Sequence, residues 1–173
     1  MFIAIKDNLI ILAKETREEL EQALQFMVYD TIEETDIEYK LVDGVYVTDE
    51  EQELKEKERI QELFMTRSDF FDGTIMAWGV DEAALLPLIE SMVNSMPLDD
   101  RLKLKAMNNF KNALNFYRKH DLFNLLVNIP LQLSESVQVI ITNEHLDKFF
   151  DEVAKGNKDS AWQYLPQPMA INQ

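Results

Sequence analysis

Over the first 48 residues short apolar runs alternate with polar turns, and beyond residue 64 apolar residues recur at helical spacing. Residues 2–5 and 9–12 are apolar, with Lys6, Asp7 and Asn8 between them, which predicts a hairpin turning near Asp7-Asn8. Thr16 then opens a helix. Thr16 and Glu19 have capping-box spacing, and Leu20, Ala23, Leu24 and Met27 form one apolar face. Residues 31–35, 37–42 and 45–48 are β-prone, and Asp43-Gly44 supplies the positive-φ pair that a tight hairpin turn needs. The first 48 residues therefore read as a small antiparallel β-β-α-β-β unit, marginal when alone.

Residues 49–63, DEEQELKEKERIQEL, are mostly charged. Asp49 is the expected cap, with Gln52 at the matching box position, and Glu51/Lys55 and Glu53/Lys57 are i,i+4 pairs. Leu54, Ile60, Leu63 and Phe64 allow only a narrow apolar stripe, so a solvated helix is predicted.

From residue 65 the reading is helical. Thr66 or Ser68 caps a helix ending at Trp78, and Gly79 stops it in the left-handed conformation. Asp81 caps a helix over 82–96, with Pro87 inside to kink it or shift its start, and Pro97 ends it. Asp99 caps a long helix over 100–119, faced by Leu102, Ala106, Phe110, Ala113 and Tyr117. An apolar helix over 122–127 follows Asp121, and residues 138–142 are β-prone. A last helix from Thr142 or Asn143 to Ala154 buries Leu146, Phe149, Phe150 and Val153, and Gly156 closes it. The end of the chain, with Pro166 and Pro168, is expected to be extended.

The fold class is thus α+β. The expected organisation is a small α+β unit (1–48), a charged connecting helix (49–64), a helical domain (65–155) and an extended aromatic, proline-containing tail (156–173).

Composition narrows the function classes. The 173 residues include 46% apolar residues, enough for a core, and no cysteine. Disulfides, thiol catalysis and thiolate metal sites are excluded together. A net charge of −15 and a pI near 4.5 set the surface against nucleic-acid phosphates and anionic membranes, so neither direct nucleic-acid binding nor membrane association is expected. No targeting leader and no run of ~20 apolar residues is visible.

Candidate chemistry is sparse. There is no Gly-x-Ser-x-Gly elbow, and the four glycines form no phosphate-binding cluster. His120 and His145 lack neighbours at metal-ligand spacing, so no metal and no cofactor is expected. His120, after Arg118 and Lys119, reads as a cation at a helix C-terminus. Asp69 and Asp72 stand three apart on a predicted helix, whereas Asp99-Asp100, Glu33-Glu34 and Glu50-Glu51 are adjacent and point apart. No catalytic residue is assigned, and the chain reads as a non-enzyme. The partner-binding candidates are Trp162 and Tyr164 in the tail and Asp49, Glu50, Glu51 and Glu53 in the charged helix. The tail aromatics either pack back on their own domain or dock on a partner.

Three stretches in order, IEYKLVDGVYVTDEE, QELKEKERIQEL and MTRSDFFDGTIMAWGVDEAALLPLI, resemble small proteins of phage and prophage tail modules. NNFKNALNFYRKHDLF and ITNEHLDKFFDEV suit the same group, so the resemblance spans roughly residues 35–152. It implies a tail-associated structural, accessory or assembly role, exercised through protein partners in the host cytoplasm or the virion. Pro87 and the tail prolines have no counterpart in that pattern. The alternative expectation is an acidic inhibitor that imitates nucleic acid and blocks a basic host protein, as a counter-defence factor would.

Overall fold

The computed structural model describes residues 1–171 and divides into two units, Met1–Glu58 and Arg59–Gln173. In the first, β1 (Phe2–Lys6) and β2 (Leu9–Lys14) form the predicted hairpin, with Asp7 and Asn8 at φ 51° and 63°. The helix α1 (Arg17–Ala23) is capped by Thr16, whose hydroxyl accepts from the Glu19 N–H at 3.2 Å. β3 (Thr31–Glu34) pairs antiparallel with the other side of β1, giving the order β2-β1-β3. The unit buries Ile3, Ala4, Leu20, Leu24 and Val47, of which Ala4, Leu20 and Leu24 form one cluster flanked by Phe2, Ile11, Leu12 and Ile32.

That small core limits α1. The expected face ran on to Met27, but only Leu20 and Leu24 are buried, while Ala23 and Met27 are exposed. Two turns cover the sheet, and a further turn would have had nothing to pack on. A second hairpin, β4 (Lys40–Val42) and β5 (Val45–Val47), turns at Asp43 and Gly44, at φ 49° and 82°. It forms its own two-stranded ribbon beside the three-stranded sheet. The β-prone stretch 31–42 is broken after β3, where Thr35 Oγ1 accepts from the Ile37 N–H at 3.1 Å and turns the chain.

The charged helix α2 (Asp49–Gln61) buries no residue, and the division between units falls within it, after Glu58. Its cap lies one residue earlier than expected. Thr48 Oγ1 accepts from the Glu51 N–H at 3.1 Å, and Glu51 Oε2 accepts from the Thr48 N–H at 2.9 Å. Asp49 is instead a first-turn residue.

In the second unit a two-stranded ribbon, β6 (Phe64–Thr66) and β7 (Asn115–Tyr117), was not expected. It changes the predicted long helix over 100–119. α5 (Asp100–Asn112) stops early, and residues 115–117 pair with 64–66 instead. Phe116, on β7, is fully buried, and Leu102 of the expected stripe is exposed. Arg67 fixes this ending. Its guanidinium donates to the carbonyls of Phe110 (2.9 Å) and Ala113 (3.2 Å) and pairs with Glu82 at 2.6 Å. The carbonyls a longer helix would have paired internally are thereby satisfied.

α3 (Arg67–Trp78) has a complete Thr66/Asp69 capping box and ends at Gly79, at φ 69°. α4 (Glu82–Ser95) runs through Pro87, which is exposed at its sixth position. α6 (Asp121–Leu126) is capped by His120, and α7 (Asn143–Ala154) by a Thr142/His145 box. α3, α5, β7, α6 and α7 converge on one aromatic core, Phe70, Phe71, Phe110, Phe116, Phe123, Phe149 and Phe150. Phe110 and Phe116 stack at 4.5 Å, and most of the other ring pairs meet edge-on or tilted. Gly73 faces this core. A Cβ there would lie 2.5 Å from Phe149 Cζ, so only glycine lets the ring in.

The tail is not extended as expected. α8 (Lys158–Ala161) and a 3₁₀ turn over Trp162–Tyr164 pack against α7 and α3, burying Ala161 and Leu165. Pro166 is buried, and its carbonyl accepts from Trp78 Nε1 at 2.8 Å. Met169–Ala170 (β10) then joins β8 (Pro130–Gln132) and β9 (Val137–Ile140) in the order β10-β9-β8.

Candidate protein-binding surface

The sequence-derived candidates fall into two groups. Asp49, Glu50, Glu51 and Glu53 share the exposed first turns of α2. Asp49 pairs with Lys40 at 2.8 Å, Glu51 completes the cap, and Glu53 stands 4.0 Å from Lys57. Lys55, Lys57 and Arg59 interrupt the acids, so the helix presents mixed rows of charge. Trp162 and Tyr164 share the 3₁₀ turn of the other unit. Trp162 is half-buried and donates from Nε1 to the Asp159 carbonyl at 3.0 Å, while Tyr164 is 40% exposed. The tail therefore docks on its own unit through Ala161, Leu165 and Pro166, with Tyr164 left outward.

A surface the sequence reading missed lies between α1 and β3. Phe26 is 94% exposed and Val28 73%, and Met27 and Tyr29 beside them are also exposed. The Leu24 N–H closes α1 on the Leu20 carbonyl, and the Asp30 N–H donates to Ile5 at 2.7 Å, which holds both ends of this apolar segment. The signal was present in QFMVYD. Four consecutive apolar residues cannot all lie on one helical face, so absorbing Met27 into the α1 stripe concealed them.

A groove of about 300 Å³ between α3 and α8 is lined by Asp69, Asp72, Gly73, Met76, Lys158 and Trp162. Partial burial of Asp69 works against its ionisation, but hydrogen bonds from Lys158 (2.9 Å to each oxygen) and Thr66 prevail and lower its pKa. A carboxyl held ionised is the reverse of a proton donor tuned for neutral pH. Asp72 accepts from the Ser68 hydroxyl at 3.1 Å.

The histidines are occupied by capping. His120 is no helix-end cation. Its Nδ1 accepts from the Leu122 N–H at 3.1 Å, and burial lowers its pKa against the opposite pull of Asp121, so the ring is held neutral. His145 Nδ1 accepts from the Thr142 N–H at 3.2 Å. Among the described residues no group of three His, Cys, Asp or Glu is placed to hold a metal ion, and no helix is long and apolar enough to cross a membrane.

The MTRSDFF stretch is absorbed by packing. Met65, Phe70 and Phe71 are buried, Thr66 and Asp69 form the box, Arg67 ties down α5, and Ser68 holds Asp72. No protein family, no curated protein and no solved structure matches this chain.

Proposed function

We propose that this protein is a non-enzymatic binding factor, a structural, accessory or assembly protein of a phage or prophage tail module. It acts in the host cytoplasm or the virion, and its first unit grips a protein partner. The observation that carries the reading is the run Phe26–Met27–Val28–Tyr29, exposed in a unit that buries only Ile3, Ala4, Leu20, Leu24 and Val47. Apolar and aromatic residues of this kind anchor protein interfaces. The tail-module assignment rests on the resemblance of residues 35–152.

The test is co-expression with the products of neighbouring genes. A stable complex is expected, and it should be lost in the Phe26→Asp/Val28→Asp double variant while the thermal midpoint stays unchanged, since neither side chain enters the core. A chain that captures none of these products, or a variant that captures them equally well, overturns the reading. The nucleic-acid-mimic alternative is less well supported, because a mimic calls for an unbroken carboxylate row and α2 interleaves Lys55, Lys57 and Arg59.

A further inference from the structure

β3 follows the Phe26–Tyr29 segment directly in the chain. The Met1 N-terminus and the Thr35 carbonyl, and the Thr35 N–H and the Met1 carbonyl, exchange bonds of 2.9 Å. With Ile3 opposite Glu33 and Ile5 opposite Thr31, alternation turns the backbone groups of residues 31, 33 and 35 toward β1. Those of Ile32 and Glu34 therefore face away, at the end of the order β2-β1-β3. An unpaired edge of this kind is a template for another strand.

Charge selects what can bind there. Residues 1–58 hold 17 acidic and 6 basic residues, net −11, whereas residues 59–173 hold 15 and 11, net −4. Glu33 and Glu34 stand on β3, and Asp30, whose carboxylate also accepts from the Asp7 N–H, Asp36 and Glu38 lie within four residues of it in the chain; all are exposed. A second copy would bring the same acids against themselves and a net −11 against a net −11. A segment carrying Lys or Arg would neutralise them.

We infer that β3 is extended by an extended segment of a different protein, in which basic residues alternate with apolar ones. The main chain pairs with Ile32 and Glu34, the basic side chains meet the edge acids, and the apolar ones cover Phe26 and Val28. This inference rests on the protein-binding reading above and names the chemistry of the partner.

The experiment titrates the full chain, followed by amide NMR, with three capped octapeptides: alternating Lys-Val, alternating Glu-Val, and Lys-Val with every second amide N-methylated. The Lys-Val peptide is expected to shift the amides of Ile32 and Glu34. Its affinity should fall at least about fivefold from 50 to 300 mM NaCl, as screening of exposed charges requires. Phe26→Ser/Val28→Ser should cost a similar factor with α1 and β1 shifts unchanged, and the Glu-Val and N-methylated peptides should not bind. Equal binding by the N-methylated peptide, shifts confined to α2, or self-association of the chain alone at these concentrations overturns the inference. If neighbouring gene products are captured through Phe26 and Val28 but the Lys-Val peptide does not bind, the binding reading stands and the basic strand falls. If the peptide binds at the edge and no product is captured, the tail-module reading falls and the basic strand stands.

Discussion

At the scale of single residues, polar groups in this chain mostly serve helix ends. His120 is the informative case, because its cap works only while Nδ1 is unprotonated. Its folded pKa is lowered from the ordinary 6.5, so the unfolded chain takes up the proton first as pH falls. The contribution of the neutral ring is complete above about pH 6.5 and is lost progressively as pH drops toward the folded value. His120→Asn keeps a side-chain acceptor at the cap and removes the titration. Thermal melts at pH 7.5 and 5.5 should therefore show a smaller loss for His120→Asn than for the parent chain. Equal losses would exclude this role for His120. The same ring also keeps Nε2 buried without a partner, as does Arg118 at Nη1, although the Arg118 side chain otherwise bonds Asp147 (2.6 Å) and Asn143 (2.7 Å).

At the scale of elements, caps were more legible than lengths. Thr16, Asp81 and Asp99 cap the helices they were expected to cap, and Thr66 and Thr142 are the caps formed where Thr66 or Ser68 and Thr142 or Asn143 were open, since a cap is local chemistry within four residues. The end of α5 was not legible. It depends on Arg67 and on the pairing of residues 64–66 with 115–117, both remote in sequence. The exposed segment 26–29 was hidden for a related reason. Met27 continues a helical spacing, and only the small size of the core beneath α1 shows that the helix has already ended. For α2 the box formed is Thr48/Glu51, one residue before the expected Asp49/Gln52. This helix buries no residue, so its cap, its local pairs and the ion pairs of Asp49 with Lys40 and of Arg59 with Asp151 hold it. Thr48→Ala should cost about 1 kcal/mol of local helix stability, seen as faster amide exchange over residues 49–58. Gln52→Ala should leave that exchange unchanged, and the opposite ranking would restore Asp49 as the cap.

At the scale of the whole molecule, the two units differ in how much apolar material each encloses. One encloses Ile3, Ala4, Leu20, Leu24 and Val47, and the other a continuous core from Met65 to Leu165 with seven phenylalanines. Opening free energy follows buried apolar contact. Native-state hydrogen exchange should therefore find the amides of β1 and β3 less protected, by at least about tenfold, than those of α3 and α7. Equal protection would mean that the smaller unit has a source of stability beyond its core. A weakly held sheet also suits the proposed role, because adding a strand to it would supply the order its own core does not.

The heptapeptide at residues 65–71 has a consequence for kinship. Each of its members is committed to folding, as plug, cap or tether. Proteins that inherit those seven letters would share a scaffold while remaining free to diverge in what they hold, and the divergence should be written in the equally short stretch between α1 and β3.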